Sequence, residues 1–457
     1  MIDAVRWLAI AGICLPVALV FLLGVPLLLE RRLPERVVGG LTGVLTALSA
    51  GAFGSALVLA LAGSVRRFDV SAGAWFGGPE PHIAVDLLID PMSLAFGAVS
   101  AIICGTVVGF SHRYLHREVG YHRYFVLFSI FLAGMLAVVF AGSVEVLFVG
   151  WELLGISSTL LVCFFHERPA PVRNALRVFV VYRMSDAAML GAAVLVHHLS
   201  GSSSLALLFG GGVPDGSFPL SDAGAMAVGL LLAVAVAGKC AQLPFSFWLP
   251  RAMEGPTPSS AVYYGALSVH AGAYLLLRAA PILEHSPVVA ALVGAMGGAT
   301  AIYAAFARRV QTDVKSALAF ASLTHVSLIL VEIAAGWHRL AFLHLLANAS
   351  LRLLQFLRAP SVLHDFHEAR DAVGAAAARH RPDDGRPPGA VASWAYRFAL
   401  ERGYLEDVVE WVVVTPFLRA VGALERVERR VADGIAGSAA PPAPGRFGRG
   451  RRETIRD

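Results

Sequence analysis

Of the 37 basic side chains in this sequence only two are lysines, Lys239 and Lys315, and both lie inside or at the edge of apolar runs. Arginine stays protonated inside proteins, whereas a buried lysine gives up its proton readily. A chain that writes arginine almost everywhere and keeps lysine at position 239 points to an amine that changes protonation state. Three other stretches carry ionisable groups among residues apolar enough for a membrane helix. Glu152 sits in FVGWELLGISSTLLV, Asp186 follows Arg183 by three residues in VVYRMSDAAML, and His325 shares TDVKSALAFASLTHVSLIL with Lys315. An ionisable group at that depth costs at least about 2.5–3.5 kcal/mol and usually faces a partner or a wet cavity. The spacing of Arg183 and Asp186 puts them on one helix face, a pairing that serves structure as readily as function. Ten residues, close to three turns, align Lys315 and His325 roughly on one side of their helix.

These residue types describe proton transfer. A carboxylate and a lysine on neighbouring helices stabilise each other's charged form on approach, and a desolvated lysine sheds its proton when they part. Lys239 then serves as the proton-loading site, with Glu152 as the electrostatic lever. His270 and His344 also lie within helices. A lone histidine is more often a satisfied core residue, yet it shuttles protons near neutral pH, so both stay relay candidates. His112, His116, His122, His166, His197 and His198 fall at segment ends, where an interfacial position is expected. No spacing among histidines, cysteines and carboxylates amounts to a metal site. Cys14, Cys104, Cys163 and Cys240 lie in separate apolar runs and read as small buried hydrophobes. With no nucleotide loop, dinucleotide fingerprint or nucleophile elbow, neither a cofactor nor a catalytic centre of its own is expected.

The elements that must hold these groups are membrane helices. The sequence is 57% hydrophobic and 15% charged, and several apolar runs reach the roughly 20 residues that cross a bilayer. The expected fold is an all-α polytopic membrane protein. Its spans fall at about 7–29, 38–62, 91–111, 124–142, 144–165, 174–197, 224–243, 259–280, 287–306, 316–335 and 339–357. The first is too long for a signal-peptide core and is kept as a span. The net charge of +5 comes from arginines at helix ends and in the tail, so it speaks for orientation in a membrane and not for nucleic acid. By the positive-inside rule the N-terminus is outside and the end of the eleventh span, with the tail after it, is cytoplasmic; Arg66 and Arg67 in an external loop count mildly against this.

The organising stretch is VAVAGKCAQLPFSFWLPRAMEGPTP, Val234 to Pro258. Pro244 removes a backbone donor and clashes with the preceding turn, which interrupts the helix. Pro250, Gly255, Pro256 and Pro258 then form an elbow. The external loop at 64–89 alternates polar and apolar residues around Gly77-Gly78-Pro79, as a short hairpin would. Residues 366–403 read as a cytoplasmic linker, 404–435 as an amphipathic interfacial helix and 436–457 as a disordered basic tail.

FVGWELLGISS, RVFVVYRMSDA and AGKCAQLPFSFWLPRAMEGPTPSSA closely resemble the proton-conducting, antiporter-like membrane subunits that include subunit L of respiratory complex I and the large Mrp antiporter subunits. IDPMSLAF, GYHRYFVLFSIF and LHLLANASLRLLQFLRAPSVLHD extend the likeness over roughly residues 80–365. The resemblance implies inverted five-helix repeats, each with a broken helix at mid-membrane. On that pattern residues 1–90 are N-terminal helices and a hairpin, 91–280 the first repeat and 281–365 a partial second one. By position Glu152 would be the coupling glutamate, Asp186 its switching partner, Lys239 the central lysine and Lys315 a linking lysine.

Within the family, QFLRAPSVLHDFH looks most like DabB-type subunits of two-part inorganic carbon accumulation systems. That likeness implies a soluble, zinc-binding DabA-like partner, a flux of protons or Na+, and a bacterial inner-membrane location. The alternative is an ion-pumping subunit of an NADH-quinone oxidoreductase, hydrogenase or Mrp-type complex. A third reading is a degenerate scaffold. Three departures bear on these. Arg352 stands where the family commonly carries lysine, Tyr264 where complex I relatives carry a histidine, and the second repeat stops after three helices.

Overall fold

Apolar runs that span a bilayer can satisfy their backbone N–H and C=O groups only along their own helices, and the computed structural model has helices in these places. It describes residues 1–76, 83–208, 218–311, 313–373, 390–404, 408, 411–412 and 415–436. The first unit opens with α1 (Ile2–Leu28), α2 (Glu35–Ala62) and a hairpin of β1 (Phe68–Phe76) and β2 (Ile83–Ile89). The two strands are antiparallel, with Phe68 opposite Ile89 and Ser71 opposite Asp86. The expected turn at Gly77-Gly78-Pro79 lies outside the described residues. Next come α3 (Pro91–Tyr114), α4 (Tyr121–Val139), α5 (Val144–Val162), α6 (Pro169–Ser200), the single turn α7 (Leu205–Leu208) and α8 (Asp222–Lys239).

After α8 the chain runs through short turns: α9 (Trp248–Arg251), α10 (Thr257–Ser260), a π-helical turn at Ala261–Ala266, and then α11 (Ser268–Arg278) and α12 (Ala280–His285). Long helices resume with α13 (Pro287–Arg309), α14 (Val314–Ala334) and α15 (His338–Val373), followed by α16 (Ala390–Leu400). Ten described helices are long and apolar enough to cross a membrane. The remaining expected span, at about 259–280, is the one interrupted by the π turn.

Burial orders the bundle. In α4, 78% of the membrane-length window is buried, against 28% in α1 and in α2. The largest fully buried side chains, among them Trp151, Trp248, Tyr182, Tyr263 and Tyr264, gather where α5, α6, α8 and the broken segment meet. The helix break itself differs from expectation. Pro244 was the expected stop, yet α8 ends at Lys239, because Ala241 already takes a left-handed backbone (φ 54°). Lys239 therefore occupies the last turn, where the unpaired carbonyls and the negative end of the helix dipole favour a cation.

The chain divides by contacts into Met1–Glu406 and Asp407–Asp457. In the second unit the amphipathic segment expected over 404–435 is a continuous helix only as α17 (Thr415–Ala436), with Pro416 in its first turn. Val421, Leu424, Val427 and Val431 line one side of α17, and Arg419, Arg426 and Arg430 the other. The expected linker over 366–403 is largely helix where it is described: residues 366–373 continue α15 and 390–400 form α16, while 374–389 and the tail expected to be disordered from 437 on lie outside the described residues.

Candidate functional site

Four charged side chains from three helices form one connected cluster. The Lys239 side chain is fully buried, and its Nζ donates to the Trp151 carbonyl at 3.1 Å. The amine lies 4.4 Å from the centre of the Tyr182 ring and 4.9 Å from that of Trp151, so two aromatic faces supply part of the solvation that water would give a cation. Asp186 Oδ1 is 3.5 Å from the amine. The other oxygen of Asp186 accepts from Arg183 Nη2 at 2.6 Å, and the same Nη2 reaches Glu152 Oε2 at 2.6 Å. The order is therefore Glu152–Arg183–Asp186–Lys239, with two anions and two cations alternating. Such a chain is neutral as a whole, which is what allows buried charges to persist. Moving one proton unbalances it.

Small residues make the geometry attainable. A Cβ on Gly238 would stand 2.3 Å from that of Ser185, so α8 approaches α6 only because this position has no side chain. A Cβ on Gly155 would stand 3.1 Å from Lys239 Nζ. Gly155 thus clears the space into which the amine projects from the end of α8.

A second polar group lies on α11, α14 and α15. His270, fully buried, has Nε2 2.9 Å from the Asn348 amide nitrogen. Asn348 accepts from Arg352 Nε at 3.2 Å, and Arg352 also donates to Gln355. His325 Nδ1 is 3.0 Å from His344 Nε2, and His344 Nδ1 is 2.8 Å from Glu332 Oε1. Among the described residues the Tyr182, Tyr263 and Ser268 hydroxyls, Trp151 Nε1 and His270 Nδ1 are buried without a hydrogen-bond partner. Buried polar groups of this kind are ordinarily met by internal water.

The predicted residues sort as follows. Glu152, Asp186 and Lys239 come together, but the carboxylate that touches Lys239 is Asp186, and Glu152 reaches it through Arg183. Lys315 stands apart from that cluster: its amine donates to the carbonyls of Met253 and Gly255, at 2.8 and 3.2 Å. It clamps the elbow. Within the elbow Pro244 follows the helix stop, Pro250 lies in α9, and Pro256 and Pro258 flank the start of α10. Gly255 is pressed against the Leu161 carbonyl, 2.6 Å from where a Cβ would be. Sequence reasoning missed Arg183 as the hub, and Asn348 and Glu332 altogether. Their signals were the spacing of Arg183 before Asp186 and an acidic residue seven positions after His325 in an apolar run.

A third contact pins the far end of the broken segment. Arg278 makes two bonds to Asp90, the cap residue of α3, one of them at 2.9 Å, and donates to the Tyr274 hydroxyl. Burial alone would push the Asp90 carboxyl up, but the Arg278 hydrogen bonds and charge, with help from Ser93, hold it below the usual carboxylate range.

Comparison with known proteins shows the family. Residues 141–377 match the family described as NADH:quinone oxidoreductase/Mrp antiporter, TM, and residues 75–125 match NADH-Ubiquinone oxidoreductase (complex I), chain 5 N-terminus. NADH-quinone oxidoreductase subunit L of Mycobacterium tuberculosis is 30% identical over 334 residues, covering 73% of this chain and 52% of that protein. NADH-ubiquinone oxidoreductase chain 5 of Schizophyllum commune is 32% identical over 304 residues, covering 66% and 43%. The chain thus spans about half the length of these curated relatives. Among solved structures, the Mrp complex from Dietzia sp. DQ12-45-1b superposes with a TM-score of 0.65 at 27% identity, over 77% of this chain and 37% of that one. An archaeal membrane-bound sulfane sulfur reductase complex shares the fold, with a TM-score of 0.64 at 21% identity over 76% of this chain and 70% of that one. With its buried lysine, its broken helix and these matches, the chain is a multi-pass membrane protein of the NADH:quinone oxidoreductase/Mrp antiporter family.

Proposed function

We propose that this chain carries protons across the membrane as one subunit of a complex I-type or Mrp-type assembly. The observation that carries the reading is Lys239, fully buried at the end of a helix and sharing Asp186 with Arg183. When Glu152 draws Arg183 away, Asp186 is left to Lys239 and the ammonium is favoured. When Arg183 returns, the desolvated amine loses its counter-charge and releases its proton. The buried Tyr182 and Ser268 hydroxyls and His270 offer the onward route. On this reading residues 91–280 are the conducting unit and 281–365 its continuation, with the N-terminus outside. The relatives named above, subunits of respiratory and antiporter complexes, support other membrane subunits as partners.

Coupling to inorganic carbon through a zinc-binding DabA-like protein rests on QFLRAPSVLHDFH alone, and the matched relatives favour the redox or antiporter assembly instead. Purifying the intact complex distinguishes the two. Redox or antiporter subunits are expected beside the chain, and a zinc protein in their place would restore the carbon reading. Proton flux in vesicles containing the complex tests conduction itself. Lys239→Ala and Glu152→Gln should each lower it by about a hundredfold. Wild-type flux in both would leave only a scaffold.

A further inference from the structure

We infer that Glu332 is a proton-carrying group, the terminus of a Glu332–His344–His325 ladder that leads from the middle of α14 to the α14–α15 turn. The inference rests on the proton-conducting reading above and adds a residue to it. Glu332 is in the last turn of α14, and its side chain is 16% exposed. Its Oε1 is 2.8 Å from His344 Nδ1, while its Oε2 is buried with no hydrogen-bond partner among the described residues. The second oxygen is therefore not spent on holding the histidine and is free to take or pass a proton, directly or through internal water.

The two nitrogens of His344 are used in opposite directions, Nε2 toward His325 at 3.0 Å and Nδ1 toward Glu332. This is the geometry of a relay. A proton arriving from His325 Nδ1 binds His344 Nε2, the proton on His344 Nδ1 leaves to Glu332 Oε1, and the ring then exchanges tautomers. Protons balance at each step and no other bond changes. His325 and Glu332 are seven residues apart on α14, about 10 Å along the axis, so the ladder covers about a third of the hydrocarbon thickness.

Polar groups continue beyond the ladder on α15, and its outer end lies at a helix turn. Inward, His344, Asn348 and Arg352 lie at four-residue steps on α15, hence along one face, and Asn348 contacts the buried His270. Outward, the Glu332 carbonyl accepts from the Trp337 N–H at 2.9 Å, and Trp337 is 60% exposed, as an aromatic residue at the membrane boundary is. Lys315 marks the other end of the same helix, on the elbow carbonyls. Arg352 cannot shed a proton readily, whereas the two histidines beside it can.

The test is proton flux in vesicles holding the intact complex, for Glu332→Gln, Glu332→Ala and Lys239→Ala. The Gln amide oxygen still accepts from His344 Nδ1, so a purely structural role predicts near-normal flux for Glu332→Gln. A proton carrier predicts a loss of about a hundredfold, with added formate restoring much of the flux in Glu332→Ala. Full flux in Glu332→Gln beside a silent Lys239→Ala overturns the ladder while conduction stands. Full flux in Lys239→Ala overturns conduction itself, and the ladder with it.

Discussion

Replacing Asp186 by asparagine removes the carboxylate that Arg183 and Lys239 share, and the two cations are left unequally placed. Arg183 keeps Glu152 at 2.6 Å, whereas Lys239 keeps only the Trp151 carbonyl and two ring faces. The orphan is therefore the lysine. At its 3.5 Å separation from Asp186, with an effective dielectric near 20, the lost attraction is about 5 kcal/mol. Breaking a buried pair from one side generally costs about 3–5 kcal/mol, so the two figures agree. Against a total stability of about 5–15 kcal/mol this is a large share. Asp186→Asn should lower the thermal midpoint of the purified complex by at least about 4 °C. Adding Lys239→Met, which removes the stranded ammonium and keeps an unbranched chain, should recover about 2 kcal/mol or more of that loss. The reasoning fails if the two substitutions add within about 0.5 kcal/mol, because additivity means the groups do not interact.

Three shorter predictions come from the surrounding geometry. Gly155→Ala puts a methyl 3.1 Å from the Lys239 amine and should reduce proton flux several-fold at unchanged assembly; normal flux would mean the amine does not use that space. Because Asp90 is held below the usual carboxylate range by Arg278, the stability it contributes is complete above its unfolded value of about 3.9 and fades as pH falls through the lowered folded value. Asp90→Asn should accordingly lower the thermal midpoint at neutral pH and flatten its decline in acid, and an unchanged acid slope would count against the clamp. Lys315→Met frees the Met253 and Gly255 carbonyls, so hydrogen exchange should rise selectively across the elbow, and equal exchange in both proteins would remove Lys315 from its support.

Most helices were legible because a bilayer allows few alternatives to a continuous apolar helix, and the 64–89 hairpin followed from alternation. The stop of α8 was misjudged because proline is the visible breaker, while the left-handed turn at Ala241 has no local signature. Lys239, Asp186 and Glu152 stood out as charges in apolar runs, a signal that survives without a structure. Their order did not. Which carboxylate meets the lysine depends on how α6 lies on α8, and that is set by the Ser185–Gly238 contact between residues far apart in sequence. Glu332 went unremarked for a related reason: near a helix end a carboxylate reads as solvated, and only the fold of α15 back along α14 brings His344 to it.

The choice of basic residue divides the labour within the bundle. Arg183 is offered two carboxylates and, as a permanent cation, can move between them without changing charge. Arg352 is likewise fixed, spent on hydrogen bonds to Asn348 and Gln355. Lysine appears only where its difference from arginine matters: Lys239 beside a carboxylate that Arg183 also claims, and Lys315 as a compact donor to two elbow carbonyls. On the proton-carrying proposal, a permanent charge competing with a titratable one for the same carboxylate would convert a small side-chain displacement into a protonation change. On that proposal the cluster needs both kinds of cation, and an arginine at position 239 would keep the charge balance while removing its ability to respond.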